Sequence, residues 1–384
     1  MKKVVICQHR LVHYRLGLFE CLSAACASRG IDLHLVHGQA SRRESVKKDE
    51  GSLPWAHKVE NRFWAIGERD IVWQPFPADL RDADLVVVMQ ENRILSNYPL
   101  LLKRMLGGPK VAYWGHGVNL QSNAPSGPRE RWKHLMLKRV DWWFAYTDIT
   151  VNILQRAGYP AERTTCLNNA IDTSGFKADL AAISEGAIAQ TRADLGIAEK
   201  ALVGLFCGSL YPDKRLEFLV ESMDKIREQS SDIHCLLIGD GPSMSVIRDA
   251  AATRPWLHVL GTRKGTEKAL YFRMADFMLN PGSVGLHVVD AFCAGLVLVT
   301  TAIAHHGPEI AYLEDGVNGF MTADNSDAYS STVLQLARDM TRMRAVKAAA
   351  LAAAVRYTLE NMVENFVRGI ECCLAMQKLK TCDE

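Results

Sequence analysis

The chain alternates short apolar runs with amphipathic stretches along most of its 384 residues. In the first half the runs are rich in Val and Ile, and loops and helical patterns separate them: KVVICQ, IDLHLVHG, DLVVVMQ, KVAYWGHG and DWWFAYT. Continuous runs of this kind are typical of parallel strands that helices cover on both faces. The pattern therefore predicts an α/β fold built on a parallel sheet.

The same alternation begins a second time after a polar stretch that ends near Lys200. The runs of this second half are ALVGLFCGS, HCLLIGDGP, HVLG, DFMLNPG and LVLVTT. Two successive Rossmann-like domains account for such a repeated pattern, with a ligand cleft at the carboxyl ends of their strands. We predict a first domain over 1–175, a second over 176–356, and a closing helix over 357–384 that packs on the first domain.

Composition and charge exclude several classes of protein. A hydrophobic content of 48% supports two sizeable cores, and a formal net charge of +2 is too small for a dedicated nucleic-acid binder. No run approaches the roughly 20 apolar residues that span a bilayer, and the run after Lys3 is too short for a secretory signal. The ten cysteines are scattered without a C-x-x-C pair, so we expect reduced thiols in a cytoplasmic protein.

Cations follow one of the strands that end in glycine. Lys214 and Arg215 lie a few residues after Gly208 in GSLYPDKR, where glycine allows close backbone approach to a phosphate. An ordinary turn followed by a solvent-exposed helix start would have the same sequence. This segment alone leaves both interpretations open.

The stretch PGSVGLHVVDAF carries a lone carboxylate in apolar surroundings. Pro281 and Gly282 turn the chain after a strand, and a helix is predicted from near Gly285, so its first N–H groups would suit an anionic diphosphate. Asp290, about one turn further on, could accept hydrogen bonds from ribose hydroxyls. The alternative is an aspartate that a neighbouring helix satisfies.

A histidine follows a strand of the first half between two glycines. His116 lies between Gly115 and Gly117 in YWGHGVN, so neighbouring side chains do not shield it and it can reach a substrate hydroxyl. Loop histidines without any function are common, and that alternative remains.

Together these segments resemble a known family over most of the chain. The ordered combination of GSLYPDKR, LIGDGP, ADFMLNPGSVGLHVVDAFCAGLVLVTT and HHGPEIAYLEDGVNGFM is similar to the retaining nucleotide-sugar glycosyltransferases of family 4, with HYRLGLFECL, YWGHGVN and NNAIDTSGF as weaker matches. The resemblance implies the GT-B architecture of two Rossmann-like domains that face each other across a cleft.

The resemblance also implies a role for individual residues, with His116 and Lys214 as catalytic groups. In the donor site it implies diphosphate contacts at Ser209, Lys214, Arg215, Gly285 and Leu286, ribose contacts at Asp290, sugar contacts at Gly282, Ser283 and Val284, and base contacts at Gly239, Gly261 and Arg263. Elsewhere it implies acceptor-side contacts at His13, Tyr14 and Arg15, and a closing loop that carries Glu309.

Two positions depart from the family pattern. The first acid of the Glu-x7-Glu motif falls on Gly282, and the arginine that usually follows the glycine of the first motif is Ser209. Arg215 is a candidate for the lost positive charge. The departures affect the expected sugar contacts more than the expected fold.

The resemblance implies transfer of a sugar from a UDP- or GDP-type donor to a glycan or lipid-linked acceptor, with retention, in bacterial surface polysaccharide or lipopolysaccharide synthesis. No metal or other cofactor is expected, because Asp82-Ala83-Asp84 precedes a strand and no strand-end loop carries an Asp-x-Asp motif. Two alternatives stay open: a sugar-nucleotide epimerase with the same fold, and a non-catalytic partner subunit.

A peripheral contact with the cytoplasmic face of the inner membrane is a further expectation. PRERWKHLMLKR (128–139) and NYPLLLKRML mix cations with apolar side chains, as surfaces that lie on anionic lipid do. Two amphipathic helices that pack on the sheet would produce the same pattern.

Overall fold

The computed structural model describes residues 1–47, 49–67, 69–117, 132, 135–230, 232–302 and 305–379. The chain divides into two units. The first comprises Met1–Asp172 and Leu359–Glu384, and the second comprises Thr173–Thr358. The predicted boundaries, after residues 175 and 356, lie close to these divisions.

The first unit is built on a seven-stranded parallel sheet in the order β3-β2-β1-β6-β7-β8-β9. Its strands are β1 (Lys2–Gln8), β2 (Ile31–His37), β3 (His57–Lys58), β6 (Leu85–Met89), β7 (Lys110–Gly115), β8 (Trp142–Ala145) and β9 (Thr164–Cys166). A separate antiparallel hairpin consists of β4 (Arg62–Ile66) and β5 (Arg69–Trp73). Its helices are α1 (Leu16–Ser28), α2 (Asn97–Met105), α3 (Asp148–Arg156) and α12 (Leu359–Ala375).

The closing helix α12 belongs to the core of the first unit. Phe366 is fully buried, stacks on Phe144 of β8 with ring centroids 4.4 Å apart, and meets Trp114 of β7 edge-on at 5.1 Å. The apolar residues of α12 recur at the spacing that places them on one helix face. Burial of that face, more than helix propensity, holds the last turns of the chain on this sheet.

The second unit is built on a six-stranded parallel sheet in the order β12-β11-β10-β13-β14-β15. Its strands are β10 (Leu202–Cys207), β11 (Ile233–Ile238), β12 (Leu257–Gly261), β13 (Phe277–Leu279), β14 (Val297–Thr301) and β15 (Gly319–Thr322). Its helices are α4 (Ser174–Ala182), α5 (Glu185–Asp194), α6 (Leu216–Gln229), α7 (Met244–Ala251), α8 (Gly265–Met274), α9 (His287–Cys293), α10 (Ser326–Arg338) and α11 (Met340–Arg356).

Each sheet is buried on both faces, as the continuous apolar runs predict. In the second unit Leu205 and Leu236 face one core cluster, while Phe206 and Leu237 face the other, because successive side chains of a strand point to opposite faces. The predicted α/β fold with two Rossmann-like units is confirmed. Among the helices of the described ranges, none is long and apolar enough to cross a bilayer.

Candidate active site

Glycines form the carboxyl-terminal rim of the second sheet. Gly208, Gly239 and Gly261 follow or end three neighbouring strands, and the N–H of Gly239 donates to the Gly261 carbonyl at 3.0 Å. Gly239 adopts φ 147°, and a Cβ atom there would overlap the carbonyl oxygen of Gly208. Only glycine therefore fits at this point of the rim, where the backbones of two strand ends pack against each other.

Lys214 lies in a 3-10 turn, Pro212–Lys214, beyond β10. Its Nζ donates a hydrogen bond to the carbonyl of Ser283 in the loop after β13. Burial lowers the pKa of Lys214, and the charge of Asp213 opposes that effect. Two residues predicted for the donor site are thus adjacent, and the ammonium is partly desolvated, which strengthens its interaction with any anion.

Arg215 has a different environment from Lys214. It adopts a left-handed conformation (φ 55°), forms an ion pair with Asp324, and lies 4.4 Å above the Phe218 ring. Its Nη1 also donates to Thr301 Oγ1 at 3.1 Å. Because Asp324 compensates this charge, Arg215 is a weaker candidate than Lys214 for a diphosphate contact. Ser209, which stands where the family usually has an arginine, is exposed.

Gly282 packs directly on the backbone of the turn Pro212–Lys214, which we call the lysine turn. A Cβ atom at Gly282 would overlap the Asp213 carbonyl oxygen and lie 2.5 Å from Lys214 Cα. The N–H of Ser283 donates to the same Asp213 carbonyl at 2.9 Å. The structure therefore has no room for the acid of the family motif at this position, because the lysine turn occupies the space that a side chain would need.

The helix after this loop begins later than the sequence indicates. It was expected from near Gly285, but α9 begins at His287, because Gly285 and Leu286 form the turn whose carbonyls accept from Val288 and Val289. Within the described residues, the N–H groups of Gly285 and Leu286 make no backbone hydrogen bond. They remain able to donate to a bound anion.

Asp290 is buried at 8% exposure and forms an ion pair. Its Oδ2 lies 2.7 Å from Nζ of Lys268 in α8, and that ammonium lies 4.6 Å from the ring of Phe176. A neighbouring helix therefore satisfies part of the carboxylate, as the structural alternative anticipated. The ion pair also fixes the carboxylate at the donor-side loop, where one oxygen can still serve a ligand.

Sequence reasoning did not select His287, the first residue of α9, or His306 of the loop before Glu309. Asn280 Nδ2 donates to His287 Nε2 at 3.0 Å, and the buried Asn280 Oδ1 has no hydrogen-bond partner in the described structure. Burial, together with the charges of Lys214 and Lys268, lowers the pKa of His287 to about 3. His306 Nδ1 accepts from the Val284 N–H at 3.2 Å while Nε2–H donates to the Thr301 carbonyl at 2.8 Å.

Acidification should destabilise the fold through partly buried, neutral histidines. The pKa of His287 falls to about 3, and burial and the neighbouring His234 lower the pKa of His258 to about 4. Because the unfolded pKa is about 6.5, this contribution is complete above that pH and is lost as pH falls toward the folded values. Between pH 7 and pH 5 the free energy of unfolding should fall by on the order of 2 kcal/mol through His287, and by less through the less buried His258.

Urea unfolding at pH 7 and pH 5 measures this loss. His258→Gln removes one titrating group, so its stability should depend less steeply on pH than that of the wild type. An identical pH dependence in the two proteins would contradict the assignment.

Glu309 is buried in the 3-10 turn Pro308–Tyr312. Just before it, the N–H of Gly307 donates to the Val284 carbonyl at 2.7 Å, and a Cβ atom on Gly307 would lie 2.8 Å from Glu309 Oε2. The predicted closing loop is therefore joined to the predicted sugar-binding loop. Of the predicted base contacts, Arg263 donates to Glu267 at 3.2 Å.

In the first unit His116 lies against an aromatic side chain that the sequence did not single out. Its exposed ring is 4.4 Å from the ring of Tyr146, whose hydroxyl accepts a hydrogen bond from Arg15 Nη2 at 2.7 Å. The Arg15 guanidinium lies 4.5 Å above the Trp114 ring. Tyr146 thus connects His116, predicted as a catalytic group, with Arg15, predicted for the acceptor side.

The other acceptor-side residues, His13 and Tyr14, are exposed in the same 3-10 turn as Arg15. Of the basic stretch 128–139, only 132 and 135–139 lie within the described residues. There Trp132 Nε1 donates to Tyr98 Oη at 3.0 Å, and Leu135 is exposed.

Comparison with known families finds a match in the second unit, which contains Lys214. Residues 201–339 match the family model described as Glycosyl transferases group 1. Over these residues the second unit is similar to glycosyl transferases group 1. The matched segment contains β10 to β15, Lys214, Gly282 and Asp290, and over it the resemblance to glycosyl transferases group 1 is confirmed.

Two curated relatives share part of the chain. It is 27% identical over 139 residues to the alpha-monoglucosyldiacylglycerol synthase of Acholeplasma laidlawii, a match that covers 35% of this chain and 34% of the relative. It is 23% identical over 192 residues to the lipopolysaccharide 1,2-N-acetylglucosaminetransferase of Salmonella typhimurium strain LT2, covering 46% and 49%. The chain thus spans a third to a half of the length of these relatives.

Among solved structures, the fold is similar to that of Anabaena Alr3699/HepE in complex with UDP. The TM-score is 0.67 at 16% identity, over 97% of this chain and all of the other. This similarity confirms the GT-B fold and, at such low identity, shows the fold alone.

Proposed function

We propose that this protein transfers a sugar from a nucleoside-diphosphate sugar of the UDP or GDP type to a glycan or lipid-linked acceptor. The observation that carries the proposal is the junction of Lys214 with the Gly282–Leu286 segment at the carboxyl-terminal rim of the second sheet. That junction places a desolvated ammonium beside loop N–H groups that are able to donate. It lies within the segment that matches the glycosyltransferase family.

Lys214 is proposed to stabilise the leaving diphosphate. Negative charge grows on the diphosphate as the glycosidic bond breaks, so a fixed ammonium stabilises the transition state more than the ground state. The N–H groups of Gly285 and Leu286 would add hydrogen bonds to the same oxygens. The proposal assigns this charge stabilisation to the protein itself, without a metal ion.

Asp290 is proposed to bind the donor ribose, with Lys268 orienting the carboxylate. The 2.7 Å ion pair holds Oδ2, which leaves Oδ1 as the acceptor for a ribose hydroxyl. Gly239, Gly261 and Arg263 are proposed for the base, and Gly282, Ser283 and Val284 for the sugar. Because Gly282 cannot carry a side chain, any contact there comes from backbone.

The acceptor side is proposed to involve the first unit. His116 presents an exposed imidazole that Tyr146 supports, and such a group can exchange hydrogen bonds with an acceptor hydroxyl. The named activities of the two curated relatives concern a glycolipid and a lipopolysaccharide. They support an acceptor of surface-glycan or glycolipid type, and we further propose that it is used at the cytoplasmic face of the inner membrane.

Replacement of Asp290 tests the ribose assignment. Asp290→Asn should weaken donor binding at least tenfold, because charge-assisted hydrogen bonds contribute about 1.5 to 3 kcal/mol each. A 2′-deoxy donor should lose much less affinity on this substitution, since it lacks the hydroxyl that would donate to the carboxylate. Calorimetric titration of both donors measures the difference.

A matched control is Asp276→Asn, which removes another lysine-paired carboxylate of the same unit, 2.9 Å from Lys347. It should leave donor binding unchanged. Equal losses of the two donors on Asp290→Asn would refute the ribose role.

A transfer assay tests the proposed function. The purified chain is incubated with UDP- and GDP-sugars and a panel of diacylglycerol and lipopolysaccharide-core acceptors, and proton NMR reads the anomeric configuration of the product. A product of unchanged configuration is expected, and an inverted one would contradict retention. Interconversion of the donor without acceptor would indicate an epimerase, and inertness toward every donor would favour a non-catalytic subunit.

A further inference from the structure

The β4–β5 hairpin turns an apolar face toward solvent. Its antiparallel register places Trp64 opposite Ile71 and Trp73 opposite Arg62, so these four side chains share one face with Ile66. Trp64 is 49% exposed, Ile66 61% and Trp73 36%. Antiparallel sheets with one solvated face usually carry polar residues on it, and this hairpin does the opposite.

The other face of the hairpin is fixed against the first unit at Val72 and Asp70, while Ala65 near the turn is exposed. Val72 is fully buried, its N–H donates to the Arg93 carbonyl, and its own carbonyl accepts from the Leu95 N–H, both at 2.8 Å. Asp70, also on that face, is mostly buried near Arg43. These contacts determine which face is exposed, so the apolar face is a stable feature of the fold.

Positive charge lies on this apolar face and at the hairpin turn. Arg62 is exposed on the face, opposite Trp73, and Arg43 Nη2 donates to the Gly67 carbonyl at the turn with about half of its side chain exposed. The nearby Glu44 is engaged by Arg93 at 2.9 Å, and its pKa is held well below the usual range.

We propose that this hairpin face is a docking surface for a bilayer that contains anionic phospholipid. Tryptophan favours the boundary between lipid headgroups and acyl chains, exposed isoleucine gains from leaving water, and arginine pairs with lipid phosphates. Exposed apolar faces rimmed by cations are suited to that boundary.

The chemistry of the face distinguishes this occupant from a glycan. Sugars bind to aromatic rings that have carboxylates or amides beside them, and the described side chains of this face include neither. Aliphatic Ile66 and Ile71 offer nothing to sugar hydroxyls. The proposal is independent of the transfer reaction and of the stretch 128–139, so its failure would leave the proposed function intact.

Vesicle co-sedimentation of the whole protein tests the surface. Trp64→Gln/Ile66→Gln should weaken partitioning onto phosphatidylglycerol-containing vesicles by on the order of tenfold. The matched control is Ala65→Gln, because Ala65 is exposed on the same strand but lies on the opposite face. It should bind like the wild type.

Two further measurements complete the test. Arg62→Gln should weaken binding to anionic vesicles and have little effect on phosphatidylcholine vesicles. Brominated lipid should quench wild-type tryptophan fluorescence more than that of the Trp64→Gln/Ile66→Gln variant. Equal vesicle binding by the wild type and Trp64→Gln/Ile66→Gln would overturn the proposal. Loss of self-association in the double variant without vesicles would assign the face to a second copy instead.

Discussion

Lys214→Met is expected to lower the turnover of sugar transfer about a hundredfold while the protein stays folded. Removal of one group that stabilises developing charge typically costs about 3 kcal/mol in the transition state. The side chain is only partly buried and donates a hydrogen bond to the Ser283 carbonyl, so the cost in folding should be small. Initial rates at saturating donor, with melting temperatures, measure both quantities.

Lys225→Met is the matched control for this variant. Lys225 lies in α6 of the same unit, pairs with the exposed Asp327 at 2.6 Å and donates to Ser326 Oγ at 2.7 Å, so its loss should leave the rate unchanged and cost little stability. Turnover of Lys214→Met close to that of the wild type would remove Lys214 from the mechanism.

Gly282→Ala is expected to destabilise the second unit by about 3 kcal/mol. The new Cβ would overlap the Asp213 carbonyl and crowd Lys214 Cα, so backbone must move, and overpacking of this kind costs about 1 to 3 kcal/mol or more. Gly285→Ala is the control in the same loop, because a Cβ there has open space. Urea unfolding of both variants measures the difference.

The same geometry predicts what happens when a glutamate is introduced at Gly282, where the family motif has its first acid. Gly282→Glu should be at least as unstable as Gly282→Ala and should not raise turnover. A well-folded Gly282→Glu variant with faster transfer would show that the loops can separate, and that the missing acid limits catalysis.

The fold was predictable because its determinants are local. Runs such as LVVVM in β6 and LVGLFC in β10 carry the length and β-branched content of buried parallel strands, and each is followed by a helical period. The strand-end loops then place Lys214 and Asp290 on the same rim of the second sheet.

Contacts between distant positions were not predictable. Nothing in the letters around Gly282 indicates that the backbone of Asp213 lies against it, because glycine is equally common in open turns. The pairing of Lys268 with Asp290 depends on how two helices pack. The exact start of α9 at His287 was not predicted either, because Gly285 and Leu286 form a hydrogen-bonded turn that no sequence motif indicates.

The outward face of the hairpin illustrates a further limit. The alternation in RFWAI and RDIVW indicates two faces, but period alone does not state which one meets solvent. The burial of Val72 decides it. Likewise, the contact of Tyr146 with both His116 and Arg15 arises from three separate strand-end segments.

The central claim is that the second unit holds the diphosphate of a nucleotide sugar at Lys214. Titration calorimetry of the whole chain with UDP, GDP and the corresponding nucleosides tests it most directly. The account predicts that one diphosphate binds, that Lys214→Met weakens this binding at least tenfold, and that the matching nucleoside binds both proteins alike. Binding of neither diphosphate, or equal loss for nucleoside and diphosphate, would contradict it.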